Sequence, residues 1–370
     1  MMPHQKHPKV SRPVLGHYGR TEFAFVGSTC ARMEDVMEHV IRELADAYRG
    51  VLVTGDHGTK DWASLQQFGK KQIFAPSAFW NDYDDKLLGR ESDFVLVNGN
   101  HYPAARQIVF VDPNKAGTLE RRREQLTDVA AIVMCPGADD LPGWLKEHLG
   151  DGAPVPCPLE RSKADLTELI KSAVEARIPP IQALILAGGK SQRMGEDKRF
   201  LTYRSGLTEL ERMVSLCRDE LGLTTHLSVS NADDAPLPGV PTLADRFLGL
   251  GPLGAICSAF LREPDVAWLV LPCDLPLLEA DTLRQLIAAR AVDKVATAVK
   301  GSSKPFPEPL VTIYEPRAYP RLLSFLGLGY SCPRKMLINS EVAHFKIADE
   351  TPIRNANTPE ERLAIERLLK

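Results

Sequence analysis

The stretch that most limits how this chain can fold is Ile181 to Lys198. A mostly apolar run, Ile181 to Ala187, has the length and character of a buried strand. Gly188 and Gly189 break it, and Lys190, Ser191, Arg193, Gly195 and Lys198 follow in one short loop. A buried strand that empties into glycines and cations suits a phosphate site. Glycine lets the backbone come close to an anion, with no Cβ in front of its N–H group. Arg193 supplies a planar fork of donors and Lys198 a point charge. The plain alternative is a solvated basic turn after a core strand.

The rest of the chain alternates strand-like and helix-like segments, which predicts an α/β protein with open, mostly parallel sheets. At 370 residues two domains are expected. Residues 1–20 read as a basic leader, and residues 21–150 as a first α/β domain. Its strands fall at Phe23–Gly27, Val51–Thr54, Asp93–Asn98, Gln107–Val111 and Ala130–Met134. Met33, Val36, Val40 and Leu44 fall on one face of a helix. Three prolines and a glycine in residues 151–162 mark a linker, with a helix to Arg177 capped by Ser162. Together residues 151–178 form a linker and helix, and residues 179–370 a second domain.

A net charge of −3 argues against a general nucleic-acid binder. No apolar run approaches the ~20 residues of a membrane span, and no apolar segment follows the N-terminal cations. The seven cysteines include no C-x-x-C pair, which fits a reduced, cytoplasmic protein without structural zinc. Asp56, His57, Asp93 and His101 lack metal-ligand spacing and read as surface polar residues.

The ordered pattern L-A-G-G-x-S-x-R-M-G-x-D-K resembles the signature of nucleotidyltransferases typified by molybdenum cofactor guanylyltransferase. Leu186, Ala187, Gly188, Gly189, Ser191, Arg193, Met194, Gly195, Asp197 and Lys198 stand at the matching places. The resemblance implies a Rossmann-like, GT-A-like nucleotidyltransferase fold for residues 179–370. It also implies transfer of GMP from GTP to molybdopterin with Mg²⁺, giving molybdopterin guanine dinucleotide and pyrophosphate. Leu186 to Gly189 would cradle the nucleotide, and Arg193 and Lys198 would hold the phosphates.

Asp274 follows the apolar run Ala267 to Leu271 and sits in P-C-D-x-P. On its own it reads equally as a turn or helix-capping residue. The resemblance makes it the Mg²⁺ ligand, a role that suits a single carboxylate beside nucleotide phosphates. Asp245, ahead of G-P-L-x-G, and Asn231, with Ser230 as the other candidate, match nucleotide contacts of the family. Loop capping is the alternative for each. Asn355 and Asn357 fall in N-x-N-T-P-E, and Glu308 stands where relatives carry a polar residue before proline. These three are candidate cleft contacts. A carboxylate at 308 is unfavourable toward an anionic acceptor unless it meets a polar ring edge.

The first domain resembles, more weakly, the MobB-type GTP-binding adaptor, over about 130 residues, through Phe23 to Leu44 and residues 93–112. Its phosphate loop is degenerate. With Gly27 as the first glycine, Arg32, Met33 and Glu34 occupy the places of the second glycine, the lysine and the Ser/Thr. This implies docking, to the catalytic domain or to molybdenum enzymes and their chaperones, in place of nucleotide hydrolysis. Two rivals stand beside the main reading. One is a cytidylyl- or sugar-phosphate nucleotidyltransferase on the same fold, whose cytidylyl members usually read L-A-A-G. The other is a non-catalytic scaffold for cofactor delivery.

Overall fold

A computed structural model describes residues 10–55, 65–68, 71–74, 81–188, 197–204, 206–231, 233–356 and 358–369. The described residues divide into two compact units, one of residues 14–178 and one of residues 179–369 together with residues 10–13.

The first unit is built on a six-stranded parallel sheet. In chain order its elements are β1 (Glu22–Val26), α1 (Cys30–Leu44), β2 (Gly50–Val53), the hairpin β3 (Leu65–Phe68) and β4 (Lys71–Phe74), α2 (Asp82–Arg90), β5 (Phe94–Asn98), β6 (Arg106–Val111), α3 (Ala116–Glu120), β7 (Val129–Met134), α4 (Gly143–Leu149), β8 (Cys157–Pro158) and α5 (Leu159–Glu175). The sheet order is β2-β5-β1-β6-β7-β8, parallel throughout. β1 and β5 are buried along their whole length, as strands covered on both faces must be.

Two boundaries differ from the sequence reading. The leader is shorter than residues 1–20, because a buried carboxylate ties down its second half. Glu22 is 2% exposed and accepts the backbone N–H groups of His17, Tyr18, Gly19 and Ala105 at 2.7–3.1 Å. A buried charge has to be paired in this way. The helix assigned to the linker is α5, which begins at Leu159 and belongs to the first unit. It buries Leu166, Ile170 and Val174 and is joined to α1 by the Lys163–Asp35 ion pair at 2.9 Å. Ser162 is not its cap: it lies inside the helix and donates to the Leu159 carbonyl at 2.7 Å.

The second unit contains β9 (Ile181–Leu186), α6 (Glu209–Ser215), β10 (Thr225–Val229), β11 (Thr242–Ala244), α7 (Pro252–Arg262), β12 (Ala267–Pro272), α8 (Ala280–Ala288), β13 (Ala296–Lys300), β14 (Thr312–Tyr314), α9 (Ala318–Gly327), α10 (Pro333–Ile338), β15 (Val342–Lys346) and α11 (Pro359–Leu368). Its seven strands run in the order β11-β10-β9-β12-β14-β13-β15. Only β14 runs antiparallel to its neighbours. Apolar side chains of β9 and β12 alternate between two cores. Ala183, Ile185, Leu269 and Leu271 face one, and Leu184, Trp268 and Val270 face the other. That alternation places helices on both faces of the sheet, as the fold class predicts.

The chain passes from β9 outward through β10 to β11, then returns to lay β12 on the other side of β9. The strand order therefore switches direction beside β9. In open α/β sheets the crevice beyond the carboxyl ends of the strands at such a point is where ligands bind.

Candidate functional site

Register brings the two sequence anchors together. Leu186 pairs with Pro272 across β9 and β12, so Gly188 and Asp274 each stand two residues beyond a matched pair. On the other flank Leu186 pairs with Ser228 of β10, and Ala187 continues the ladder with its N–H on the Ser228 carbonyl at 2.9 Å. Leu186 is half-buried and Ala187 buried.

Gly188 has a physical reason to lack a side chain. A Cβ there would lie 2.7 Å from Ser230 Oγ and 2.9 Å from Ser230 N. The space is already taken, because Ser230 Oγ donates to the Gly188 carbonyl at 2.7 Å. Gly189, Arg193 and Asn357 lie outside the described residues, as do Asp56 and His57. Lys198 opens a short 3-10 turn, Lys198–Phe200, and its side chain also lies outside what is described.

The far end of the signature loop is braced by a residue the sequence did not single out. Arg199 holds the Asp197 carboxylate through Nε and Nη2 at 2.7–3.0 Å and reaches Asp234 at 2.8 Å. These bonds hold the Asp197 carboxyl below the usual carboxylate range. No periodicity or motif marks Arg199. It matters because the fold brings residues 197 and 234 to the same edge.

Asp245 leaves β11 beside the end of β10. Its N–H bonds the Val229 carbonyl at 2.9 Å, and its carboxylate accepts from Ser228 Oγ at 3.3 Å. Burial pushes its carboxyl up, and the Ser228 hydrogen bond only partly opposes this. Asn231 is exposed and its Oδ1 accepts from the Asp233 N–H at 3.3 Å. The loop-capping role is thus present at Asn231, while Ser230 is engaged by Gly188.

Asp274 is half-buried at the end of β12. Cys273 and Tyr203 are pushed up to about 12, first by burial and further by the Asp274 charge. Glu209 is also raised by burial, with Asp274 adding to it. The segment after Asp274 is pinned by Arg212 of α6, another residue the sequence did not mark. Arg212 donates to the Leu275 and Leu278 carbonyls at 2.7 and 2.9 Å and to buried Glu209 at 2.6 Å. The carboxylate at 274 therefore sits on a fixed turn.

Glu308 and Asn355 share a cavity of about 810 Å³, which Lys304, Arg334, Glu350 and Arg354 also line. β12 and β13 are each antiparallel to β14, so β13 runs parallel to β12. β15 runs parallel to β13. The loops after β13 and β15 that form the cavity thus lie on the same sheet edge as Gly188 and Asp274. Asp245, Gly188, Asp274 and the cavity follow one another along that edge.

In the first unit, Gly27 has φ of 100°, and a Cβ there would lie 2.2 Å from the Phe110 carbonyl oxygen. The loop that follows is closed by its own side chains. Arg32 donates to Asp112 at 2.5 Å and to Ser28 at 3.1 Å. Met33 is fully buried. Glu34 accepts from Thr54 at 2.5 Å and from buried Asn98 at 3.0 Å. Among the described residues there is no group of three His, Cys, Asp or Glu that could hold a metal, and no helix is long and apolar enough to cross a membrane.

Residues 183–343 match the family described as the MobA-like NTP transferase domain. The chain is 32% identical over 185 residues to a molybdenum cofactor biosynthesis bifunctional protein of Synechocystis sp.. That match takes in 49% of this chain and 52% of the relative, so it spans about half the relative's length. A probable molybdenum cofactor guanylyltransferase of Carboxydothermus hydrogenoformans is 34% identical over 194 residues, 50% of this chain and 93% of the relative. Among solved structures, molybdopterin-guanine dinucleotide biosynthesis protein A of Archaeoglobus fulgidus is similar at 18% identity and a TM-score of 0.44, over 51% of this chain and 98% of that one.

Proposed function

Because the chain belongs to the MobA-like NTP transferase family, we propose that this nucleotidyltransferase moves GMP from GTP to molybdopterin, forming molybdopterin guanine dinucleotide and pyrophosphate. The observation that carries the reading is the Leu186–Pro272 pairing, which sets Gly188 and Asp274 side by side at the switch point of the sheet. The names of the relatives supply guanine and the molybdenum cofactor as the substrates to test.

An acceptor that ends in a phosphate brings its own anionic nucleophile. The protein then needs to align that oxygen with the α-phosphate and to balance charge. In this reading Gly188 and Gly189 offer backbone N–H groups, and Arg193 and Lys198 hold the triphosphate and the departing pyrophosphate. Arg199 keeps the end of that loop in place through Asp197 and Asp234. Asp245, with Asn231 or Ser230, contacts the nucleoside. The acceptor lies toward Glu308, Asn355 and Asn357, so that its phosphate meets the nucleotide above Asp274.

The donor set fits a divalent cation, Mg²⁺ in this proposal. One half-buried carboxylate on a fixed turn suits an ion that takes its other ligands from phosphate oxygens and water. When bound at Asp274, the cation supplies charge neutralisation at the phosphates.

A cytidylyl- or sugar-phosphate nucleotidyltransferase is the nearest rival. Gly188 alone does not separate the two, because packing against Ser230 already requires a glycine there. The same reading places the enzyme in the cytoplasm and gives the first unit a docking role toward molybdenum enzymes or their chaperones. The test is pyrophosphate release by the purified protein with molybdopterin and each nucleoside triphosphate in turn. Release with GTP and little with CTP is expected. Equal or greater release with CTP would move the protein to the rival class.

A further inference from the structure

The signature loop that supplies Arg193 and Lys198 also carries a carboxylate, Asp197, next to Lys198 in the sequence. A carboxylate at that place competes with a triphosphate for the same cations. In the structure it is fully occupied by one residue. Asp197 Oδ1 accepts from the Arg199 N–H at 3.1 Å and from Arg199 Nε at 3.0 Å. Oδ2 accepts from Nε at 2.9 Å and from Nη2 at 2.7 Å. Hydrogen bonds from the Arg199 side chain hold the Asp197 carboxyl below the usual carboxylate range, so it carries its charge at neutral pH.

The rest of the guanidinium is anchored on another loop. Nη1 donates to Asp234 Oδ2 at 2.8 Å, and the Asp234 N–H bonds the Asn231 carbonyl at 3.1 Å. The Arg199 side chain is 17% exposed, against 36% for Asp197 and 35% for Asp234, so it is the inner member of the three. Its Cζ also lies 5.4 Å from the centroid of the Phe200 ring. A planar fork held by two carboxylates and a ring keeps its orientation, where a lysine would meet one oxygen as a point charge.

We propose, resting on the reading in which Arg193 and Lys198 hold the phosphates, that Arg199 is a positioning residue that sequesters Asp197. The carboxylate then cannot neutralise the cations that the triphosphate needs. Arg199 acts through Asp197, and Asp234 keeps the guanidinium turned toward it. Without Arg199 the carboxylate is released beside Lys198, and the cations of the loop become its partners. The loop then presents less positive charge to the triphosphate, and nucleotide binding weakens. A brace that only stiffened the loop would also lose affinity on removal. Removing the carboxylate as well would restore affinity in the first case and not in the second.

The experiment measures binding of Mg·GTP to the full chain by calorimetry, without acceptor. Mg·CTP replaces it should the unaltered protein prefer CTP, since the phosphates are common to both. Arg199→Met should weaken binding at least ~10-fold, because it leaves a carboxylate without its partner. Arg199→Met combined with Asp197→Asn should bind within about threefold of the unaltered protein, a coupling that shows as non-additivity. Steady-state kinetics should place the Arg199→Met loss in KM for the nucleotide, with less change in kcat. If Arg199→Met fails to fold, Arg199→Lys serves: its affinity should fall between, and Asp197→Asn should restore it. Unchanged affinity in folded Arg199→Met, or a double variant as weak as the single one, would overturn the assignment. Pyrophosphate release with molybdopterin reports the transfer reading separately, so that reading can fail while this one stands, and the variant pattern can fail while transfer stands. Binding of neither nucleotide by the unaltered protein would overturn both.

Discussion

Ser230 Oγ donates to the carbonyl of Gly188 at 2.7 Å, at the point where a Cβ on Gly188 would have to go. The clash involves Ser230 N as well as the hydroxyl, at 2.9 Å, so a rotamer change alone cannot relieve it. Gly188→Ala should therefore shift the strand end and the loop behind it. A cost of about 1–3 kcal/mol is expected, the range for overpacking, with a larger relative loss in turnover if the loop carries the phosphate contacts proposed above. Adding Ser230→Gly should recover part of the stability but not all of it. Thermal unfolding of both variants checks this, and full recovery would show that the backbone contact is harmless.

Asp274→Asn tests the metal assignment. The substitution keeps size and shape on a turn that Arg212 fixes through the Leu275 and Leu278 carbonyls. Turnover should fall by about 10²-fold or more, as for loss of a group that stabilises charge in the transition state. Tm should stay close to that of the unaltered protein. Unchanged turnover at an unchanged Tm would remove Asp274 from the site.

The strands of this edge were legible in the sequence because they are apolar runs ending in glycine, proline or aspartate. β9 and β12 fall within a residue or two of the apolar runs Ile181–Ala187 and Ala267–Leu271. β11 and β15 were not read, since Thr242–Ala244 is short and Val342–Lys346 mixes histidine and lysine into its pattern. The motif residues were legible as a pattern, while Arg199 and Arg212 were not. An arginine acquires its role from a partner far away in sequence, Asp234 or the Leu278 carbonyl, and no local spacing records that. The helix to Arg177 was legible, but its place in the first unit is not until Tyr48 and Asp35 are seen against it.

Asp245 offers a pH-dependent prediction. Its folded carboxyl is raised by burial, so the folded protein binds the proton more tightly than the unfolded chain does. Between the unfolded and folded values stability falls as pH rises, and above the folded value the full cost of the buried charge is present. Asp245→Asn removes that charge. The variant should be no less stable than the unaltered protein at neutral pH, and its advantage should vanish in acid. The proposed nucleoside contact would be lost in the same step, so KM for GTP should rise about tenfold with smaller change in kcat. Unfolding midpoints at pH 4 and pH 7 together with GTP kinetics check both halves. A variant that is less stable at pH 7 and keeps its KM would make Asp245 a structural cap.

The first unit yields a prediction about where it can be cut and what it will not do. A fragment of residues 14–178 keeps the Glu22 cradle formed by His17, Tyr18 and Gly19. It also keeps α5, with its Lys163–Asp35 ion pair and the Tyr48 hydroxyl donating to Glu175 at 3.3 Å. A fragment of residues 21–150 loses both, leaving Glu22 short of donors and the α5-facing side of α1 uncovered. The longer fragment should unfold in one cooperative transition, and the shorter should show a broad transition or none. Titrated with Mg·GTP, the longer fragment should neither bind nor hydrolyse it. The place a P-loop lysine would take is filled by buried Met33. Glu34 puts a negative charge at the place of the metal-binding hydroxyl, where Asn98 and Thr54 hold it. Arg32, the cation nearest to the loop in sequence, is spent on Asp112. Micromolar GTP binding that disappears in Gly27→Val would show that the loop works by other groups, although Gly27→Val must first be shown to fold, since Phe110 leaves no room for a Cβ there.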